Sequence, residues 1–161
     1  MKERRLVSTM SGREYPFERI EEFSENGESL EVSISGIENA RIRAGVHLWE
    51  RFADWMPFAR MEAGLSLGEG ATPLIRSGGR LQAVTGVKNL LLKNETQNPT
   101  WSFKDRGSLM CVSLAHELGE DTVATISTGN MGHSIAAYAA NAGLRAVVFL
   151  PPYTPHEKVM A

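Results

Sequence analysis

Residues 89–150 read NLLLKNETQNPTWSFKDRGSLMCVSLAHELGEDTVATISTGNMGHSIAAYAANAGLRAVVFL. Asn89-Leu90-Leu91-Leu92-Lys93 is a near-continuous apolar run, the pattern of a strand covered on both faces. A helix follows over 103–118, with Phe103, Gly107, Met110, Cys111, Leu114 and Leu118 three or four apart and Gly119 as its C-cap. The next strand is 122–126, and the next helix, 131–142, is rich in alanine and closed by Gly143. A third strand, 146–150, ends at Pro151-Pro152, and a last helix begins near Pro155 and runs toward Ala161. Strand, helix, strand, helix, strand is the order of a layered α/β unit whose parallel strands are joined by crossover helices.

Upstream the texture differs. Leu6-Val7 and Leu30-Glu31-Val32-Ser33-Ile34 read as strands, and the second alternates so that one face is buried. Gly12, Gly27 and Gly36 punctuate them as turns. Val46, Trp49, Phe52 and Ala53 at helical spacing predict a helix over 46–58, stopped near Pro57. Trp49 and Trp55 are expected to pack this region onto the α/β unit, and 64–70 is a glycine-containing loop. The chain therefore divides into an N-terminal segment, 1–66, and an α/β region, 67–161.

Composition narrows the function. The chain has 161 residues, of which 42% are hydrophobic and 22% charged, the balance of a folded globular protein. A net charge of -2 lacks the basic footprint of a nucleic-acid binder and gives no attraction to an anionic membrane surface. The acidic run from Glu18 to Glu31 reads as solvated surface. One cysteine, Cys111, excludes an intrachain disulfide and a thiolate zinc site, and it is expected in the core of its helix. The start, Met1-Lys2-Glu3-Arg4-Arg5, is charged, and no stretch reaches the ~20 apolar residues of a membrane span. A reducing cytoplasmic setting is the expectation.

Three segments could carry chemistry. In Asn98-Pro99-Thr100-Trp101-Ser102-Phe103-Lys104-Asp105-Arg106-Gly107 a turn opens a helix, with Ser102 as N-cap and Asp105 near a capping-box position. Capping does not explain Lys104, a cation facing the positive end of the helix dipole between Trp101 and Phe103. Such an amine suits attack on a carbonyl, and a surface lysine is the alternative. In Ser127-Thr128-Gly129-Asn130-Met131-Gly132-His133-Ser134 a strand passes into a helix whose backbone N–H groups, with two hydroxyls, suit a carboxylate or phosphate. Thr128 or Asn130 acting only as a cap is the plainer reading, and His133 reads as a structural or surface residue. Both loops lie at carboxyl ends of strands, where open α/β sheets collect ligands. Gly68-Glu69-Gly70-Ala71-Thr72-Pro73-Leu74 alone is only a turn before a strand.

Taken in order, GEGATPL, NPTWSFKDRG and STGNMGHS resemble the fold-type II pyridoxal-phosphate enzymes, the tryptophan synthase β-like fold, and threonine synthases in particular. The resemblance runs from about Leu67 to the last residue. It implies a reaction of O-phosphohomoserine and water giving threonine and phosphate, a lyase acting on a phosphorylated amino acid. It implies pyridoxal 5'-phosphate as cofactor, with Lys104 as the lysine that bonds it and later moves protons. Asn130 matches the asparagine at the cofactor's ring hydroxyl. Phe103 matches a residue beside the cofactor, and Ser127, Thr128 and Gly129 match the loop that holds the substrate carboxylate. Cysteate synthase and serine/threonine dehydratases share the fold and are the alternatives, as is a module without turnover. Family members are commonly more than twice as long, so the resemblance implies an N-terminal portion that self-associates or forms a homo-oligomer.

The N-terminal segment resembles the zinc ribbon of threonine synthase-like proteins, but with serine at both first cysteine positions, Ser8 and Ser11, and Phe23 and Asn26 at the second pair. Those side chains cannot hold zinc, which implies a metal-free ribbon held by small hydrophobic contacts. Two further departures from the family are Trp101, where many members have glycine, and Met131, where many have threonine.

Overall fold

A computed structural model describes residues 3–18 and 21–160. The acidic run, the charged start and the last helix each include residues outside that set. In chain order the elements are β1 (Arg4–Ser8), β2 (Glu14–Pro16), β3 (Leu30–Ile34), α1 (Leu48–Arg51), β4 (Leu74–Arg76) and α2 (Gly79–Thr85). They continue with β5 (Leu91–Lys93), α3 (Lys104–Glu117), β6 (Thr122–Ile126), α4 (Asn130–Asn141), β7 (Arg145–Phe149) and α5 (His156–Val159).

The N-terminal segment is an antiparallel sheet in the order β2-β1-β3. Gly12 and Gly27 take φ of 71° and 75°, the left-handed turns their positions ask for. Leu6 and Ile34 are its buried apolar side chains. The turns are closed differently from the expectation of hydrophobic contacts. Ser8 Oγ, buried, accepts the amides of Met10 and Ser11, and Ser24 Oγ accepts those of Asn26 and Glu28. The hydroxyls of Ser8 and Ser11 both donate to Glu28 Oε2, at 2.5 and 2.6 Å. A carboxylate thus links the two turns, and the second turn uses Ser24 instead of Phe23 and Asn26. Among the described residues no group of three or more His, Cys, Asp or Glu is arranged to hold a metal ion.

The predicted 46–58 helix is shorter: α1 ends at Arg51 and a 3-10 turn, Ala53–Trp55, follows. Trp49 packs against the main core of Leu65, Leu109, Val112, Ile135 and Tyr138, as expected, whereas Trp55 stays on Phe52 and is partly exposed. The Arg4 guanidinium reaches Glu117 at the end of α3 at 2.5 Å and the Pro57 carbonyl at 2.7 Å, docking β1 on that helix.

In the α/β region, β6 and β7 pair in parallel from Thr122↔Arg145 to Ile126↔Phe149, with α4 as the crossover. Residues 89–93 behave otherwise. Only Leu91–Lys93 is strand, and it pairs antiparallel with β4, with both faces exposed. An apolar run states how much surface can be buried and does not choose the partner. Helix α2 follows β4, with Gly78 at its N-cap and Gly86, at φ of 71°, closing it.

Helix α3 stands where expected but is rotated. Its buried residues are Asp105, Ser108, Leu109, Val112, Ser113, Leu114 and Ala115, so Phe103, Gly107 and Cys111 face outward. Cys111 is therefore exposed and not a core residue. The inward stripe keeps the expected Leu114 but also carries Asp105 and Ser108, which α4 answers with Ser134, and Ser113, which meets Met61 Sδ, so a purely apolar template misplaces the face. Gly119 and Gly143 close α3 and α4 at φ of 75° and 72°. Among the described residues no helix is long and apolar enough to cross a membrane.

Candidate active site

The carboxyl end of β6 and the first turn of α4 open onto a cavity of about 1020 Å³. Lys104 reaches it from α3, the 126–133 segment forms one wall, and Val148, Leu150 and α5 form much of the rest. Four of the expected site residues besides Lys104 are brought together here: Ser127, Thr128, Gly129 and Asn130. Phe103 is not among the lining residues. It is exposed, and its ring lies under the Lys104 amine at 4.6 Å, so it touches the site only through that lysine.

Each group sits where its local sequence puts it. The N-cap position of α3 is Phe103, one residue after the expected Ser102, whose Oγ still accepts the Lys104 amide at 3.3 Å. Trp101, 75% exposed, takes φ of 60° because the chain must reverse at Asn98 before the helix; its amide donates to the Asn98 carbonyl at 2.8 Å. That is the left-handed conformation glycine favours, which gives a physical reason why glycine suits the position.

Ser127 bonds to its own loop. Its Oγ accepts the amides of Gly129 at 3.2 Å and Gly132 at 2.9 Å, so the hydroxyl shapes the loop. The Thr128 hydroxyl, the Asn130 amide and the Lys104 amine have no hydrogen-bond or ion-pair partner among the described residues. Gly132 packs so closely on β7 that a Cβ there would lie 2.9 Å from Val148 Cγ1. His133 is exposed on the cavity wall.

Several residues that looked bland hold this geometry. Glu95 accepts from Arg106, Thr72 and Asn98, and the guanidinium holds its carboxyl at about 2, well below the ordinary carboxylate range. Asn98 Oδ1 accepts the Gly70 amide at 3.0 Å. Glu69, 2% exposed, accepts from Ser66 and from the Tyr138 hydroxyl at 2.5 Å, and burial followed by that carboxylate pushes the phenol up. GEGATPL and NPTWSFKDRG are therefore parts of one polar frame around the start of α3. Their separation in sequence hid this; the charged and amide residues inside otherwise turn-like stretches were the available signal.

A primary amine free of acid partners, a side-chain amide and the open N-terminus of a twelve-residue helix share one cavity. The amine can bond an aldehyde, the amide can meet a ring hydroxyl, and the helix terminus can receive a carboxylate. The donor set fits pyridoxal phosphate at its aldehyde and ring, and the helix terminus suits an anion.

Residues 65–161 match a family model described as pyridoxal-phosphate dependent enzyme. The chain is 43% identical over 106 residues to a threonine synthase of Methanocaldococcus jannaschii, covering 66% of this chain and 26% of that protein. It is 45% identical over 101 residues to a threonine synthase of Methanosarcina acetivorans, 63% of this chain and 24% of the relative. A threonine synthase of Halalkalibacterium halodurans matches at 44% over 104 residues, 65% and 29% of the two chains. The chain thus spans about a quarter of the length of these relatives. A solved structure, the processed form of threonine deaminase isoform 2 from Solanum lycopersicum, overlaps 55% of this chain and 24% of its own with a TM-score of 0.47 at 29% identity.

Proposed function

The chain belongs to the pyridoxal-phosphate dependent enzyme family, and from that premise we propose that it contributes the cofactor amine and the substrate-carboxylate loop of a threonine synthase-like lyase. The observation that carries this reading is Lys104: its amine enters the cavity from the first residue of α3 without an acid partner, facing the same space as the 127–130 loop. The proposed substrate is O-phosphohomoserine, with water as the second reactant and threonine and phosphate as products.

Pyridoxal phosphate, when bound, supplies the electron sink for charge that develops at the substrate α-carbon. The chain's own residues do the rest. Lys104 Nζ would hold the cofactor at its aldehyde, and the same amine is placed to take a proton from the substrate α-carbon. Asn130 orients the ring through its hydroxyl, and the Phe103 ring keeps water from one side of the amine. The Thr128 hydroxyl and the N–H groups of Asn130 and Met131 bind the carboxylate at the turn that Gly129 opens, while Ser127, holding the Gly129 and Gly132 amides, keeps that loop in shape. Residues 67–161 form the catalytic region in this reading and 1–66 a metal-free ribbon and connecting segment. The site is cytoplasmic, and no nucleic acid or membrane is involved. The chain associates with copies of itself, a reading supported by the exposure of Leu74, Ile75, Leu91 and Leu92 on the β4–β5 pair.

The test is addition of pyridoxal phosphate, reduction with borohydride, intact mass and peptide mapping. A single pyridoxyl adduct on Lys104, absent in Lys104→Ala, is the expected result. Labelling scattered over several lysines, or none, overturns the assignment.

A further inference from the structure

Asp105 is fully buried beside Lys104, with no cation paired to it among the described residues. Its Oδ2 accepts the Thr100 amide at 2.7 Å, and its Oδ1 accepts the hydroxyls of Thr100 and, at 2.6 Å, of Ser134. Ser134 also lies 2.7 Å, oxygen to oxygen, from Ser108, and both serines are fully buried. The spacing gives this cluster its meaning. Ser108 is four residues after Lys104 on α3, and Ser134 is four residues after Asn130 on α4. Four residues is just over one helical turn, so each serine lies on the same face as its partner and about 6 Å further along the axis.

The two helices are therefore pinned one turn behind the two residues that enter the cavity, and the carboxyl ties the same point to the loop before α3. A capping acid would need only the Thr100 or Ser102 side of this arrangement; the bond to Ser134 crosses to another helix. An apolar pair could pack α3 on α4 equally well but would not define rotation or sliding of one helix on the other. Three directed hydrogen bonds on one buried carboxyl do.

We propose that Asp105 is a positioning residue, which through Ser134 and Ser108 sets the register of Lys104 against Asn130. The inference rests on the reading of Lys104 as the cofactor amine. It predicts that weakening the link misplaces the amine while leaving the cavity's own groups intact.

The experiment uses the whole chain in four forms: unaltered, Asp105→Asn, Ser134→Ala and the double variant. Pyridoxyl labelling of each lysine is followed against pH by reduction and peptide mapping, with exposed Lys88 as internal reference, and amide hydrogen exchange is read at Thr100 and over the first turn of α4. Asp105→Asn is expected to slow Lys104 labelling about tenfold relative to Lys88 and to change its pH profile. It should also speed exchange at Thr100 and at the start of α4. Ser134→Ala, which removes one oxygen and keeps the fold, should act in the same direction. The double variant should be no worse than Asp105→Asn, because both break one linkage. An unchanged rate and profile at Lys104 in both single variants overturns the proposal, as does a parallel fall at Lys88. If the unaltered chain labels Lys104 no faster than Lys88, the cofactor reading fails by itself. Faster exchange at the start of α4 in Ser134→Ala then upholds the linkage, and unchanged exchange overturns it.

Discussion

The Arg106 guanidinium meets the Glu95 carboxylate with two parallel bonds, Nε to Oε2 at 2.9 Å and Nη2 to Oε1 at 3.0 Å. Arg106 lies on α3 two residues after Lys104, and Glu95 opens the turn that precedes the helix, so the pair fixes where α3 begins. Thr72 and Asn98 join it from either side, which brings the 70–72 loop into the same unit.

Replacing the acid, Glu95→Gln, should weaken a charge-assisted pair that still sees solvent, so the expected cost is roughly 1 kcal/mol. The sign with pH follows from the depressed Glu95 carboxyl. Its contribution is complete above the ordinary carboxylate range and is lost as pH falls toward about 2. Urea midpoints of the two proteins should differ at pH 7 and converge only as pH falls to about 2. Equal gaps at both pH values would show that the carboxylate's charge is irrelevant.

Trp101 pays a backbone penalty for φ of 60° and recovers little by burial, being 75% exposed. The left-handed region costs an L-residue about 1–2 kcal/mol, and glycine's extra unfolded entropy takes back roughly 0.5–1. Trp101→Gly is therefore expected to stabilise the chain by up to about 1 kcal/mol, whereas Trp101→Ala, which retains a Cβ, should not. Thermal or urea midpoints for both variants decide this, and equal effects would place the cause in the indole and not in the backbone.

The N-terminal turns should be sensitive to acid. Hydrogen bonds from Ser11 and Ser8 hold the Glu28 carboxyl below its ordinary value, with Arg13 adding a smaller attraction and the Arg13–Glu25 pair lying alongside. A depressed carboxyl contributes stability above its unfolded value and loses it as pH falls through the folded one. Relative to the intrinsic rate, which itself falls with pH, exchange at the Met10, Ser11, Asn26 and Glu28 amides should become faster in acid before the α/β core opens. Glu28→Gln should show that fast exchange already at neutral pH and abolish the acid step. A variant that keeps the same acid step would exclude Glu28 as its source.

Much of this was legible in the sequence, and the misses share a cause. The order of α3, β6, α4 and β7 follows from periodicity and from Gly119 and Gly143, because helix ends and strand alternation are local. Lys104 was conspicuous because a cation at a helix start opposes the dipole. The buried face of α3 is hard to read because Asp105 and Ser108 look like surface residues until α4 brings the Ser134 hydroxyl to them, and Ser113 until its hydroxyl meets Met61 Sδ. The pairing of β5 with β4, the carboxylate link at Glu28 and the Ser127 hydroxyl turned back on its own loop are all choices between partners, and residue type alone does not choose. The family resemblance assigned roles to residues; it did not show that Phe103 meets the site only through Lys104.

Gly132 offers a test of how tightly the carboxylate loop is tied to the sheet. A Cβ at this position would stand 2.9 Å from Val148 Cγ1 and 3.4 Å from Ser127 Cβ. Alanine gains about 1 kcal/mol over glycine in a helix interior, and less in a first turn, while overpacking costs about 1–3 kcal/mol. The crowding term wins, because Val148 is a β-branched strand residue with little rotamer freedom and Ser127 is anchored to the Gly132 amide. Gly132→Ala should therefore destabilise the chain by about 1 kcal/mol or more and slow pyridoxyl labelling at Lys104, since the 127–130 loop moves with the helix start. In a Val148→Ala background the same substitution has room, and only the helix gain remains. It should then be neutral or stabilising when compared with Val148→Ala alone. An equal cost in both backgrounds would mean that contact with β7 does not set the position of α4.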